Sequence, residues 1–352
     1  MLKKIFFAAA LLLASELIAK PVVIASIAPV EYLAKAVGGD KIEVQSLAKG
    51  DVHSYEPKPN DMKAVAKASL FIAAGLEFEE AWIPRFKASA KNLVVVQSDA
   101  KIAKLKEEHA GHADHDEEHG EHDEKHSGHD DHKAKDDKHS GHSEHAKHSA
   151  KDKHADHKAK DDKHSGHAEH AKHDEKHEAH EEHDEEHEAH ADPHVWLNPV
   201  LAITMARNIS DALIAMDKAN KDFYLKNFQK LMNDLLAFDE SAKNELAGLK
   251  NRKFVVYHPA WGYFAEHYDL EQISIERNGK EPKIDEMAST VKMIKDENIK
   301  VIFADPNRSQ KSAQVLASQT GAKVELLDPL GYNLLENLKI AVKAIKDANS
   351  PK

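Results

Sequence analysis

Residues 221–249 read KDFYLKNFQKLMNDLLAFDESAKNELAGL, and the rest of the fold follows from them. The stretch has no proline and one glycine, Gly248, close to its end. Apolar residues recur at Phe223, Leu225, Phe228, Leu231, Leu235, Phe238 and Leu246, which places them along one side of a helix. The pattern predicts one helix of nearly 30 residues, spanning on the order of 40 Å at about 1.5 Å per residue. A helix of that length can run the height of a protein and join two bodies as a stiff spine.

Short strands and helices alternate on both sides of it. Before it, PVVIAS (21–26), residues 42–47, LFIAA (70–74) and LVVV (93–96) read as strands, with helices expected over 30–37, 60–68, 79–90 and 200–216. After it, FVVY (254–257), VIFA (301–304) and VELL (324–327) read as strands, with helices over 263–268, 284–298, 309–320 and 333–348. Such alternation indicates parallel sheets covered by helices. The expected architecture is α/β: two lobes with parallel-type sheets joined by one long helix. The N-terminal lobe is placed at 20–218, the linking helix at 219–249 and the C-terminal lobe at 250–352.

One segment does not fit this alternation. Residues 109–190 hold 23 of the 27 histidines and no Val, Ile, Leu, Met, Phe, Tyr or Trp. A stretch without large apolar side chains cannot offset the entropy of its own ordering. Residues 107–190 are therefore expected to form a disordered loop inserted in the N-terminal lobe. Histidine-rich composition reads as metal binding, and imidazole suits zinc, copper and nickel. The alternative is a solvated spacer, although spacers are normally Gly, Ser, Pro or plain charge. HKAKDDKHSGHSEHAKH (132–148) recurs at 157–173 with one change, Ser143 against Ala168. These units have no apolar face to stack, so the repeat is a duplicated surface loop and not a solenoid.

The tract also accounts for the charge. Its 28 acidic residues and 12 lysines give −16 within a chain of −12, so the remainder carries +4. Neither part has the basic character of a nucleic-acid binder. There are no cysteines, which excludes disulfides and thiolate metal sites. Residues 1–19 combine a basic start (Lys3, Lys4), the nine-residue apolar run IFFAAALLL (5–13) and Ala19 before Lys20. This is expected to be a signal peptide cleaved after Ala19, because the run is too short to span a membrane. With no cysteine after it to carry a lipid, the mature chain is expected to be a free periplasmic protein.

Three histidines outside the tract lie in loops at the edges of expected strands and helices: His53, His194 and His258. Asp328 lies in a fourth such loop. In open α/β sheets, ligand sites sit just beyond the carboxyl ends of the strands. Three neutral imidazoles plus a carboxylate or water make a four-coordinate zinc shell. Pro57, Pro193 and Pro259 stiffen these loops, and Tyr55, Trp196 and Trp261 are placed to shield the site from water. His267, on an expected helix, has no such setting.

At these residues the chain resembles the zinc-binding periplasmic component of bacterial ABC transporters, in the metal-specific solute-binding class with a rigid interlobe helix. The motifs are HSYEPKP (53–59), DPHVWLNP (192–199), YHPAWGYF (257–264), GKEP (279–282) and LDPLG (327–331), spread over nearly all the chain outside the tract. The resemblance implies a metal site in the cleft between the lobes, with His53, His194 and His258 as ligands and Asp328 as a fourth used by some members. Manganese members tend to carry Glu in the third motif, so His258 favours zinc. A His-rich insertion before the second motif is typical of zinc members. The departure is a disulfide found in some zinc-type relatives and impossible here, which bears on C-lobe stability.

The function this implies is zinc capture in the periplasm and delivery to an ABC permease, by a monomer, with the tract as an auxiliary zinc collector or sensor. The alternatives are a manganese or other divalent-metal protein of the same class, a metal store, or an adhesin. Catalysis is not expected. A zinc hydrolase needs a metal-bound water and a general base, and the nearest approach to a metalloprotease motif, HDEEH (183–187), falls inside the tract.

Overall fold

The computed structural model describes residues 20–106, 191–276 and 282–349, all within one compact unit. The expected signal peptide, the His-rich tract and Gly279 to Glu281 of the GKEP motif lie outside the described residues.

In the first lobe, β1 (Val22–Ala25), β2 (Glu43–Ser46), β3 (Leu70–Ala73) and β4 (Val94–Gln97) form a parallel sheet in the order β2-β1-β3-β4. The central strand β3 is buried along its whole length, because helices cover both faces of a parallel sheet. The helices are α1 (Ala28–Gly38), α2 (Pro59–Val65) and α3 (Glu77–Ser89). The amides of Ala74, Gly75 and Leu76 all donate to the buried Glu79 carboxylate, which sets the turn from β3 into α3.

The second lobe repeats the plan. The strands β5 (Lys253–Val256), β6 (Glu271–Ser274), β7 (Val301–Ala304) and β8 (Lys323–Leu326) are parallel in the order β6-β5-β7-β8. Their helices are α6 (Gly262–His267), α7 (Ile284–Asp296) and α8 (Lys311–Thr320). Strand β6 is absent from the sequence reading. It is an edge strand whose sequence, EQIS, contains one apolar residue, so neither alternation nor an apolar run marks it.

Completing the first lobe, α4 (Pro199–Met216) begins at Asn198, whose side-chain oxygen accepts from the amides of Val200 and Leu201, a standard N-cap. The spine, α5 (Lys221–Leu246), has 26 residues, three fewer than its apolar pattern suggests. Its buried stripe is Tyr224, Phe228, Leu231, Leu235, Phe238, Ala242 and Leu246. Tyr224 joins the inward face, where Phe223 is partly buried against the core, while Leu225 is 40% exposed. The terminal helix α9 (Leu334–Asn349) returns from the second lobe to pack on α5 and α1.

One hydrophobic core runs from β1 through α5 and α9 into Phe254, Val256 and Phe303 of the second sheet. Val255, Ile302 and Ala304 point to the opposite face and form a separate core with Ile294 and Leu316, following the two-residue period of a strand. The α5 carboxylate of Asp239 bonds His267 Nε2 at 2.6 Å and Lys243 Nζ at 2.8 Å. His267 thus ties α6 to the spine. Helix, core and polar tie together leave little freedom for wide lobe opening.

The two ends flanking residues 107–190 are held side by side. Lys106 and Ala191 form an antiparallel bridge, and the Asp192 amide donates to Leu105 O at 2.9 Å. Tyr263 of α6 closes this neck: its hydroxyl accepts from Leu105 N and donates to Asp192 O, both at 2.8 Å. Gly75, at φ +85°, lies against the same approach, where a Cβ would come within 2.2 Å of Asp99 Oδ2. Two expectations follow from the neck. Replacing 107–190 by a short Gly-Ser linker should leave the thermal midpoint within a few degrees of the parent, about the size of a loop-length entropy change. Tyr263→Phe, by leaving both backbone groups unpaired, should cost about 1–3 kcal/mol in denaturant unfolding.

Candidate metal centre

Each site histidine lies in a loop next to a regular element. His53 lies in the loop between β2 and α2, where its amide donates to Asp51 Oδ1 at 3.2 Å. His194 immediately precedes a single 3₁₀ turn, Val195–Leu197, that leads into α4. His258 follows β5, in a turn closed by Ala260 N donating to His258 O at 2.9 Å. The three rings converge with centroids 4.9 to 5.5 Å apart. One ring nitrogen of each lies within 4.8 Å of the others, and this is the one group among the described residues with such ligand spacing.

Two of the imidazoles have their orientation fixed from behind. His194 Nδ1 is 2.8 Å from Asp192 Oδ1, which also accepts from the His194 amide at 2.9 Å. His258 Nδ1 is 2.8 Å from Glu276 Oε2. A carboxylate behind Nδ1 favours the hydrogen there, and with it there the Nε2 lone pair is left for a metal. Nε2 of His258 and Nε2 of His53 are both buried without a hydrogen-bond partner among the described residues. Buried polar atoms are normally paired, so two orphans facing a third imidazole point to a ligand. The space they enclose, also lined by Asp51, Asp305 and Arg308, measures about 10 Å³. That is room for about one water-sized sphere, enough for an ion and too small for an organic solute. A groove of about 720 Å³ between α5 and α9 is far larger, but among the described residues its carboxylates do not form a group at metal-ligand spacing.

Burial keeps His53 and His258 uncharged. His53 is pushed down to about 4, first by desolvation, then by His194 and Arg308. His258 is held well below the ordinary imidazole range, again mainly by burial and then by the same two neighbours. Neutral imidazole is the ligand form.

The structure brings His53, His194 and His258 together and leaves Asp328 outside that group. Asp328 Oδ1 accepts from Asn307 Nδ2 at 2.8 Å and Leu330 N at 2.9 Å, while Pro329 and Leu330 beside it line the cavity. Trp196 stands 5.2 Å from the His194 ring, and its Nε1 donates to Pro329 O at 2.7 Å, closing one wall across the lobes. Trp261 lines a neighbouring pocket with His258. Tyr55 instead bonds Asp61 and Leu47 O. Sequence reasoning missed Asp192, Glu276 and Arg308. Asp192 was visible two residues before His194 in its own motif. Glu276 follows the unread strand β6, and nothing in the sequence marks Arg308, whose guanidinium reaches His258 Nδ1 and Glu276 Oε1, both at 2.9 Å.

A family model described as zinc-uptake complex component A, periplasmic (ZnuA) matches residues 23–348, and the chain belongs to this family. The high-affinity zinc uptake system protein ZnuA of Bacillus subtilis is 35% identical over 187 residues, covering 50% of this chain and 59% of that protein. The zinc-binding protein AdcA of Streptococcus pyogenes serotype M3 is 29% identical over 336 residues, 93% of this chain and 54% of that one. The chain thus spans between about half and three-fifths of the length of these relatives. A crystal structure titled as ZnuA superposes with a TM-score of 0.70 at 27% identity, covering 94% of this chain and all of the other.

The depressed imidazoles set a pH dependence for the metal-free protein. His53 takes up its proton near pH 4 when folded and near 6.5 when unfolded, so the unfolded state binds more protons between those values. Stability is therefore full above about pH 6.5 and is lost as pH falls towards 4. The loss from His53 should be roughly 2 to 3 kcal/mol, read as a falling midpoint in chelator-treated protein. His53→Gln should flatten that slope.

Proposed function

We propose that the chain captures Zn²⁺ outside the cytoplasm and delivers it to an ABC permease for import. The observation carrying this reading is the pair of buried, unpartnered Nε2 atoms on His53 and His258, set beside His194 around an ion-sized space. His53, His194 and His258 are the proposed ligands. Asp328 is the proposed fourth, which requires it to exchange its Asn307 and Leu330 partners for the ion; a water in that place is the alternative. Three imidazoles favour a borderline-soft cation such as zinc over manganese, which is better served by oxygen ligands. The names of the matched relatives, a zinc uptake system protein and a zinc-binding protein, agree with that preference.

The proposed cycle is one of binding and not of chemistry. At neutral pH the buried imidazoles are already deprotonated, so Zn²⁺ enters with little proton release from His53 or His258. The spine α5, the shared core and the Asp239–His267 tie restrict the lobes to small movements, so uptake and release turn on local loop shifts more than on a hinge. We place the mature protein in the periplasm after removal of residues 1–19, acting as a monomer. The lobes and the linking helix are assigned to 20–218, 250–352 and 219–249. The His-rich residues 107–190 are assigned to collecting zinc weakly and passing it to the tight site. Binding needs deprotonated imidazole, so both sites should weaken in acid.

Zinc calorimetry on the mature chain and on a variant lacking 107–190 tests the reading. The shortened protein should keep one tight site, and His194→Ala should remove it. Tight binding that disappears with the tract, or survives His194→Ala, contradicts the ligand assignment. Growth in low zinc that is unaffected by His194→Ala contradicts uptake.

A further inference from the structure

We propose that Arg308 is the releasing residue of the site: it competes with the bound cation for His258 and favours the metal-free state. The inference rests on the zinc-capture reading above. Its starting point is an incompatibility at one atom. His258 Nδ1 has two neighbours, Glu276 Oε2 at 2.8 Å and Arg308 Nη1 at 2.9 Å. Carboxylate oxygen only accepts and guanidinium only donates. The nitrogen can give a hydrogen to Glu276 or take one from Arg308, and it cannot do both.

The two choices have opposite consequences for a metal. With Nδ1–H donated to Glu276, the Nε2 lone pair faces His53 and His194 and is available as a ligand. With Nδ1 accepting from Arg308, the ring hydrogen moves to Nε2, and that nitrogen cannot ligate. Arg308 therefore stabilises the tautomer that rejects the ion, and Glu276 the tautomer that holds it. Charge acts in the same direction. The guanidinium is in contact with a proposed ligand, so it also repels an arriving dication.

The arginine has somewhere to go when the ion is present. Its Nη2 is 2.9 Å from Glu276 Oε1 and 4.0 Å from Asp51 Oδ2. Asp51 belongs to the other lobe, two residues before His53, and its Oδ1 orients the His53 amide. Arg308 thus spans the cleft from the loop after β7 to the loop that carries His53. Metal occupancy, the His258 tautomer and this cross-lobe contact are linked through one side chain. A tight site that must still hand over its cargo needs such a competitor, because an arrangement serving only the bound state would release slowly.

The test uses the full chain. Zinc release into excess chelator is followed by stopped flow, and the His258 tautomer is read from ¹⁵N imidazole shifts in the metal-free protein. Arg308→Gln should slow release about tenfold and leave His258 wholly as Nδ1–H. The parent should show a measurable share of Nε2–H. Arg308→Lys keeps the charge without the planar fork, and should release within about threefold of the parent. Release from Arg308→Gln as fast as from the parent, or a parent His258 that is wholly Nδ1–H, overturns the proposal. Should Arg308→Gln fail to fold, the parent tautomer decides. His258→Ala separates the two readings: tight zinc binding that survives it contradicts the capture site, whereas its loss alongside unslowed Arg308→Gln contradicts the role of Arg308 alone.

Discussion

Three imidazole nitrogens must face one another in a nearly dry space, and the rest of the structure depends on that requirement. Each buried imidazole nitrogen without a partner costs the folded protein about 1–3 kcal/mol of desolvation, and among the described residues His53 and His258 each carry one. A short or loosely built segment would relieve the cost by turning its rings outward. Here the rings are carried on loops from three distant parts of the chain, at residues 53, 194 and 258, and each loop leaves a helix or strand set in a continuous core. Asp192 and Glu276 prevent two of the rings from rotating. The frame holds open a site that local energetics would collapse.

The frame can do so because the lobes share more than a connecting helix. Both sheets have the same strand order, yet the second sheet presents one face to its own core and the other to the core of α5 and the first lobe. The terminal helix α9 crosses back onto α5 and α1. The chain end is thus secured on the spine, with Leu334, Leu338, Ala341 and Ile345 fully buried there. Trp196 reaches from the first lobe to the Pro329 carbonyl in the second. These contacts explain why a cleft between two α/β bodies can be only about one ion wide.

The sequence showed the architecture through periodicity. The apolar stripe of 221–249 gave the spine, and strands such as LFIA and VIFA are unbroken apolar runs because both their faces are covered. It failed at one edge strand. Strand β6, at the edge of its sheet, has no pattern to read, and Glu276 just beyond it was lost with it. The three histidines were found because loop position and flanking prolines are sequence properties. Arg308 was not, since a long side chain reaching 50 residues back along the sequence is decided by tertiary packing alone. The presence of Tyr224 and not Leu225 on the buried face of α5 has a similar origin: a helical stripe is broad enough for packing to choose among neighbours.

The neck at Leu105–Lys106 and Ala191–Asp192 fixes where the intervening chain leaves and returns, whatever lies between. The fold therefore places almost no selective pressure on the length of that segment. Closing a longer loop adds only a logarithmic entropy term, about 0.6 kcal/mol per doubling. A 17-residue unit that has copied itself nearly letter for letter, at 132–148 and 157–173, is the kind of genetic change such an anchorage tolerates. The number of histidines a lineage carries at this point can then drift or be tuned by slippage and duplication, without any compensating substitution in the folded body.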